Sequence, residues 1–135
     1  MDIARSLYSE TLIAQQLNNK VAEIVYKLFL QKGKKEFSIL EIGAGTGATT
    51  EKILNKLPIN EISYTVSDVS KFFVNNLVKE FRGVKGEIIN IDKDIEGPTY
   101  DVIVAAGVLN NAKNIVFTLE NLKKLLVKSW KLNSD

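Results

Sequence analysis

The stretch Phe37-Ser-Ile-Leu-Glu-Ile-Gly-Ala-Gly-Thr-Gly-Ala-Thr-Thr50 passes from a strand-like apolar run into a helix through three alternate glycines. Phe37 to Ile42 reads as the strand, and the helix that follows the glycine loop ends at Leu57-Pro58. Glycine reaches positive φ and lacks the Cβ that would keep a ligand from the backbone, while amides at a helix start face outward to meet it. In an open α/β sheet, ligands settle beyond the carboxyl ends of the strands, where strand order reverses. A glycine turn with no ligand has the same local shape. Gly43, Gly45 and Gly47, set between a clean strand and a clean helix, favour cofactor binding.

Upstream, Leu17, Val21, Ile24, Val25 and Leu28 follow helical spacing within a long amphipathic helix from Tyr8 to Gln31, with Gly33 at its cap. Downstream, Ile62 to Val66 alternates as a second strand ending at Ser67-Asp68. Ser70 then caps a helix whose face is Phe73, Leu77 and Phe81 and which Gly83 closes. Glu87 to Ile91 reads as a third strand. A polar loop, Asp92 to Thr99, leads to Tyr100-Asp-Val-Ile-Val-Ala105, apolar enough to be buried on both faces of a parallel sheet. Ile115, Leu119, Leu122 and Leu126 mark the last helix.

The order predicts an α/β fold: a Rossmann-like, doubly wound parallel sheet with helices on both faces and right-handed crossovers. The reading is of a single domain over 1–135, with an N-terminal helix over 1–33 and alternating strands and helices over 37–127. Four strands are clear, and Lys128 to Asp135 is a poor fifth. The Val102 to Ala105 edge then needs a cover, either the C-terminal segment or a second copy of the chain in a homodimer.

The 135 residues hold one core, about 68% of the unfolded surface being buried at this size. There is no cysteine and no histidine, which excludes disulfide scaffolds, thiolate or imidazole zinc sites, Ser-His-Asp systems and any histidine base. No metal is expected. A net charge of +2, carried largely by scattered lysines with only Arg5 and Arg82 for bidentate contacts, gives no case for nucleic acid. No run nears the ~18 apolar residues of a membrane span, and Met1 to Glu10 is not a secretory signal, so a cytoplasmic location is expected.

Two carboxylates stand where strands end. Asp68, about twenty residues past the loop, can accept hydrogen bonds from both hydroxyls of a ribose, or it can cap the next helix. Asp92 closes the third strand, where it can take an adenine amino group or form a turn. Gly43-Ala-Gly-Thr-Gly-Ala48 also satisfies the dinucleotide pattern G-x-G-x-x-G/A, so these residues alone leave the nucleotide open.

Leu40-Glu-Ile-Gly-Ala-Gly-Thr-Gly-Ala-Thr-Thr50, Tyr64-Thr-Val-Ser-Asp-Val-Ser70 and Tyr100-Asp-Val-Ile-Val-Ala-Ala-Gly-Val-Leu109 together resemble the class I S-adenosylmethionine-dependent methyltransferases. The resemblance is to the methyltransferase domains embedded in polyketide and nonribosomal peptide synthetases, and it covers nearly all of the chain. It implies S-adenosyl-L-methionine as cofactor, with Gly43, Ala44 and Gly45 under its methionine part and Glu41 ordering the loop and meeting its amino end. It also implies that Asp68 holds the ribose, Val69 flanks the adenine, Asp92 reaches the adenine amino group, and Ala105 and Ala106 line the methionyl side. In such a site the cofactor carries the reactive methyl, and the protein supplies proximity and orientation.

The chain also departs from the pattern. Those relatives follow the fourth strand with Val-Leu-His, where this chain has Val108-Leu-Asn110, and Asn110 cannot take a proton near neutral pH. The glutamate paired with that histidine would fall past Asp135, and the Pro-Gly-Gly turn is replaced by Lys128-Ser-Trp130. The resemblance therefore implies a methyltransferase truncated after about four strands, with reduced activity toward a small-molecule or carrier-bound acyl or peptidyl acceptor. Two alternatives stay open: a non-catalytic cofactor-binding remnant or interaction module, and an NAD-binding oxidoreductase fragment. Phe72, Phe73 and Trp130 read as packing residues, and Tyr8 either packs or folds over the cofactor.

Overall fold

Period-two burial defines the central strand β1 (Phe37–Glu41), with Phe37 and Ile39 buried on one face and Leu40 on the other. The computed structural model describes residues 3–33, 36–106 and 115–126, of which 3–14, 115, 118 and 119 are described by backbone alone. Around β1 the chain forms α1 (Ile3–Lys32), α2 (Ala48–Leu54), a 3-10 turn (Ile59–Glu61), β2 (Ile62–Asp68), α3 (Lys71–Glu80), β3 (Lys85–Ile88), β4 (Val102–Val104) and α4 (Ile115–Lys124). The sheet runs β3-β2-β1-β4, with every pairing parallel. The chain steps outward from β1 to β3 and then returns to the far side of β1. Strand order thus reverses between β1 and β4, and the glycine loop leaves β1 at that point.

Helices cover both faces, as the element order implies. Val25 and Phe29 of α1, Ile53 of α2 and Leu77 of α3 pack with Ile39, Tyr64, Val66 and Val104 in one core. Leu122 of α4 and Leu125 just beyond it meet Leu40, Ile42, Ile91, Ile95 and Tyr100 on the other face. Among the described residues, no helix is long and apolar enough to cross a membrane.

Several details differ from the sequence reading: α2 ends at Leu54 instead of Leu57, and β4 is confined to Val102–Val104. The third strand is Lys85–Ile88, in register with Thr65–Asp68, instead of Glu87 to Ile91, and all four of its residues are exposed. Lys85 and Glu87 suit an edge strand, while Ile91 is drawn onto the α4 face. Phe72 is 69% exposed because Val74 and Leu77 carry the buried side of α3. Leu17 and Ile24 are likewise exposed, since α1 buries Ala22, Val25 and Phe29. Ile24 borders an apolar groove of about 280 Å³ between α1 and β4.

At the entry to β4, the Tyr100 N–H donates to the Leu125 carbonyl at 2.6 Å, and Tyr100 pairs in parallel with Leu126. The end of the α4 segment therefore covers the start of this edge. Trp130 and the rest of the tail lie outside the described residues. One residue further on, the buried Asp101 carboxylate accepts the Ser38 N–H at 2.8 Å, the Ser38 hydroxyl at 3.2 Å and the Lys32 ammonium. These bonds fasten β4, β1 and the end of α1 together at the amino end of the strands, remote from the glycine loop.

Candidate functional site

Gly43, Gly45 and Gly47 all have positive φ, and two of them do so for different reasons. At Gly47 (φ +91) a Cβ would lie 2.6 Å from Leu77 Cδ2 and 3.1 Å from Phe81 Cε2, so this glycine lets the start of α2 approach α3. At Gly45 (φ +56) a Cβ would meet nothing within 4 Å. One glycine serves packing, and the other keeps a space open. Gly47→Ala is therefore expected to cost about 2–4 kcal/mol in chemical denaturation, from backbone strain and overpacking together. Gly45→Ala is expected to cost about 1–2 kcal/mol from the backbone alone. It should still abolish nucleotide binding, and normal binding by Gly45→Ala would show that the space is not a ligand's.

The loop is held from β2. Ala44 N–H donates to the Ser67 carbonyl at 2.9 Å, the Ser67 hydroxyl donates to the Glu41 carbonyl at 2.7 Å, and Gly45 N–H donates to Asp68 Oδ2 at 3.0 Å. The other Asp68 oxygen accepts the Ser70 N–H at 3.0 Å. Asp68 is thus the joint between the loops that follow β1 and β2. A carboxylate accepts about four hydrogen bonds, so each oxygen keeps a lone pair for a ligand. Ser70 performs the capping, its hydroxyl accepting Phe73 N–H at 3.3 Å.

Glu41 is 3% exposed. Its Oε1 accepts both the Thr50 hydroxyl and the Tyr64 hydroxyl, each at 2.6 Å. Burial pushes the Glu41 carboxyl above its ordinary range, outweighing the two hydroxyls, which act the other way. Burial and then the neighbouring carboxylate hold the Tyr64 phenol well above its usual range, so it remains a donor. A carboxyl whose native pKa is raised keeps its proton at pH values where the unfolded chain has released it. Its contribution to stability therefore falls as pH rises from the ordinary carboxylate range through the native pKa. Glu41→Gln should remove that decline, its melting temperature falling less than the parent's over this window. Parallel melting curves for the two proteins would contradict it.

Hydrogen bonds therefore bring Glu41, Ala44, Gly45 and Asp68 together around the loop that begins at Gly43. Val69, 65% exposed, follows Asp68 directly. Ala105 and Ala106 leave the carboxyl end of β4, which Ile42 N–H ties to β1 through the Val104 carbonyl at 2.7 Å. Asp92 lies four residues beyond β3 instead of closing it, its N–H held by Asn90 Oδ1 at 2.9 Å in an Asx turn. Asn110 lies outside the described residues, as does the Tyr8 side chain. Sequence reasoning missed Thr50 and Tyr64. The signal available was parity: Tyr64 pairs in register with Ile39 and shares the buried face that Glu41 also joins.

A methyltransferase-domain family model matches residues 40–129. The highly reducing polyketide synthase verA of Penicillium polonicum is 28% identical over 134 residues, covering 93% of this chain but only 5% of the synthase. The CurJ carbon methyltransferase crystal structure aligns with a TM-score of 0.75 at 30% identity, over 82% of this chain and 32% of that one. The plantazolicin methyltransferase BpumL in complex with SAH aligns with a TM-score of 0.64 at 25% identity, over 89% and 46%. Since the family model covers residues 40–129, about two thirds of the chain, and takes in the glycine loop together with Glu41, Asp68 and Ala105, the chain belongs to the methyltransferase-domain family.

Proposed function

We propose that the chain binds S-adenosylmethionine where β1 and β4 part, and that it serves methyl transfer to a small-molecule or carrier-bound acyl or peptidyl acceptor. The observation that carries this reading is Gly45, whose N–H is fixed on Asp68 while its α-carbon borders open space. The donor set fits the cofactor. The remaining lone pairs of Asp68 suit ribose hydroxyls, and a buried carboxylate at Glu41 suits an ammonium group. When bound, the cofactor supplies a methyl group on a sulfonium, which departs to an attacking nucleophile. The chain's own share is to hold the ribose and the amino end, with Val69 and Asp92 placed toward the adenine and Ala105 and Ala106 along the methionyl side, and so to fix the direction of attack. SAH bound to BpumL and the polyketide synthase relative support the cofactor and the acceptor class respectively.

Calorimetric titration with S-adenosylhomocysteine tests the reading. Saturable binding at one site is expected. Absence of binding, or preferential stabilisation by NADH, would overturn it. A second reading, cofactor binding without catalysis, is favoured by the absence of histidine from the 135 residues and by Asn110 in place of the family base. Methyl turnover on any free or carrier-bound acceptor would remove that second reading.

A further inference from the structure

Two hydroxyls converge on one oxygen of Glu41. Thr50 from the first turn of α2 and Tyr64 from the middle of β2 each donate to Oε1 at 2.6 Å, whereas Oε2 accepts from no described residue. The side chain is all but sealed, Tyr64 and Thr50 being fully buried themselves. Among the described residues the buried side-chain polar atom left without a partner is Asn121 Nδ2, so Glu41 Oε2 is not sealed in: it keeps a little accessible surface, through which a donor from outside the described fold can reach it. Two donors from different elements also fix the carboxylate plane, which a single hydrogen bond would leave free to rotate.

We propose that Thr50 and Tyr64 are positioning residues that hold Glu41 with Oε2 reserved for the ammonium of the ligand's amino-acid tail. They thereby set the preference of the site for a nucleoside bearing that tail over the bare thionucleoside. The proposal rests on the cofactor reading above. It goes beyond that reading in assigning selectivity to two hydroxyls that need never touch the ligand. Thr50→Val and Tyr64→Phe remove only the donors and preserve side-chain volume.

The experiment compares two probes on each variant by calorimetry: S-adenosylhomocysteine, which has the amino-acid tail, and 5′-methylthioadenosine, which lacks it. Each variant is expected to bind S-adenosylhomocysteine about tenfold more weakly, the scale of one charge-assisted hydrogen bond. Binding of 5′-methylthioadenosine should stay within about twofold, because its contacts are independent of Glu41. Thr50→Ser, which restores a hydroxyl, should recover most of the loss. Equal losses on both probes, or undiminished binding of the tailed probe, would overturn the positioning role. If the parent chain binds neither probe, the cofactor reading itself is at fault, so the two failures are told apart by the parent alone.

Discussion

Asp68→Ala is expected to weaken S-adenosylhomocysteine binding by at least about a hundredfold, since on the proposed reading it removes a carboxylate acceptor from two ribose hydroxyls, each worth about 1.5–3 kcal/mol. A second loss compounds the first. The same carboxylate holds Gly45 N–H through one oxygen and Ser70 N–H through the other, so its removal unlinks the two loops that shape the crevice. Fold stability should drop by only about 1–2 kcal/mol, because amides freed at a partly exposed loop can turn to water. Asp68→Asn keeps one acceptor but sets an amide donor against an N–H, so its affinity should fall between the two. Calorimetric titration together with a denaturation curve checks both parts. If Asp68→Ala retains affinity within about threefold of the parent, its ribose role is wrong, since two lost charge-assisted bonds predict far more.

Asp101→Ala should behave in the opposite way, costing about 3 kcal/mol of stability while leaving ligand affinity nearly unchanged. The Asp101 side chain is 1% exposed and accepts from Ser38 twice and from Lys32, across 63 and 69 residues of sequence. Deleting it strands a backbone N–H inside the β1–β4 junction. Lys32 is 32% exposed and can swing into water, which keeps the cost below that of a fully buried unpaired ion. The site lies at the other end of β1 from the glycine loop, so denaturation and titration should separate. A loss of affinity as large as that at Asp68 would show that the two ends of β1 are coupled.

The strand and glycine loop from Phe37 to Gly47 and the helix that follows were legible because their punctuation is local: alternation, then glycines, then a helix stop, although α2 ends at Leu54, three residues before the expected Leu57. Asp68 was legible for the same reason, since it ends a strand and precedes a capping serine. What local pattern could not show was register. The run Ile88-Ile89-Asn-Ile91 has strand composition, yet pairing with Thr65–Asp68 fixes β3 two residues earlier and leaves Asp92 in a turn. Asp101 read as one polar residue in an apolar strand, because its partners are distant in sequence. The three glycines looked equivalent as letters. Only the neighbouring Leu77 and Phe81 distinguish Gly47, which packs, from Gly45, which leaves room. Thr50 and Tyr64 were hidden in a similar way, their common partner becoming visible only when α2 and β2 lie against β1.

The strand order also bears on when the crevice comes into being. β1 and β2 pair residues 25 apart, such as Phe37 with Ile62, whereas β1 and β4 pair residues 63 apart, such as Ile39 with Val102. Closing the longer span costs about 0.8 kcal/mol more in chain entropy, and contacts between distant residues form slowly. The crevice has one wall until β4 docks, so on the proposed reading a refolding chain is expected to gain its nucleotide affinity only once the longer β1–β4 span has closed. A nucleoside bound there is then expected to act as a late clasp on the folding reaction, slowing the release of β4 more than it speeds the meeting of β1 and β2.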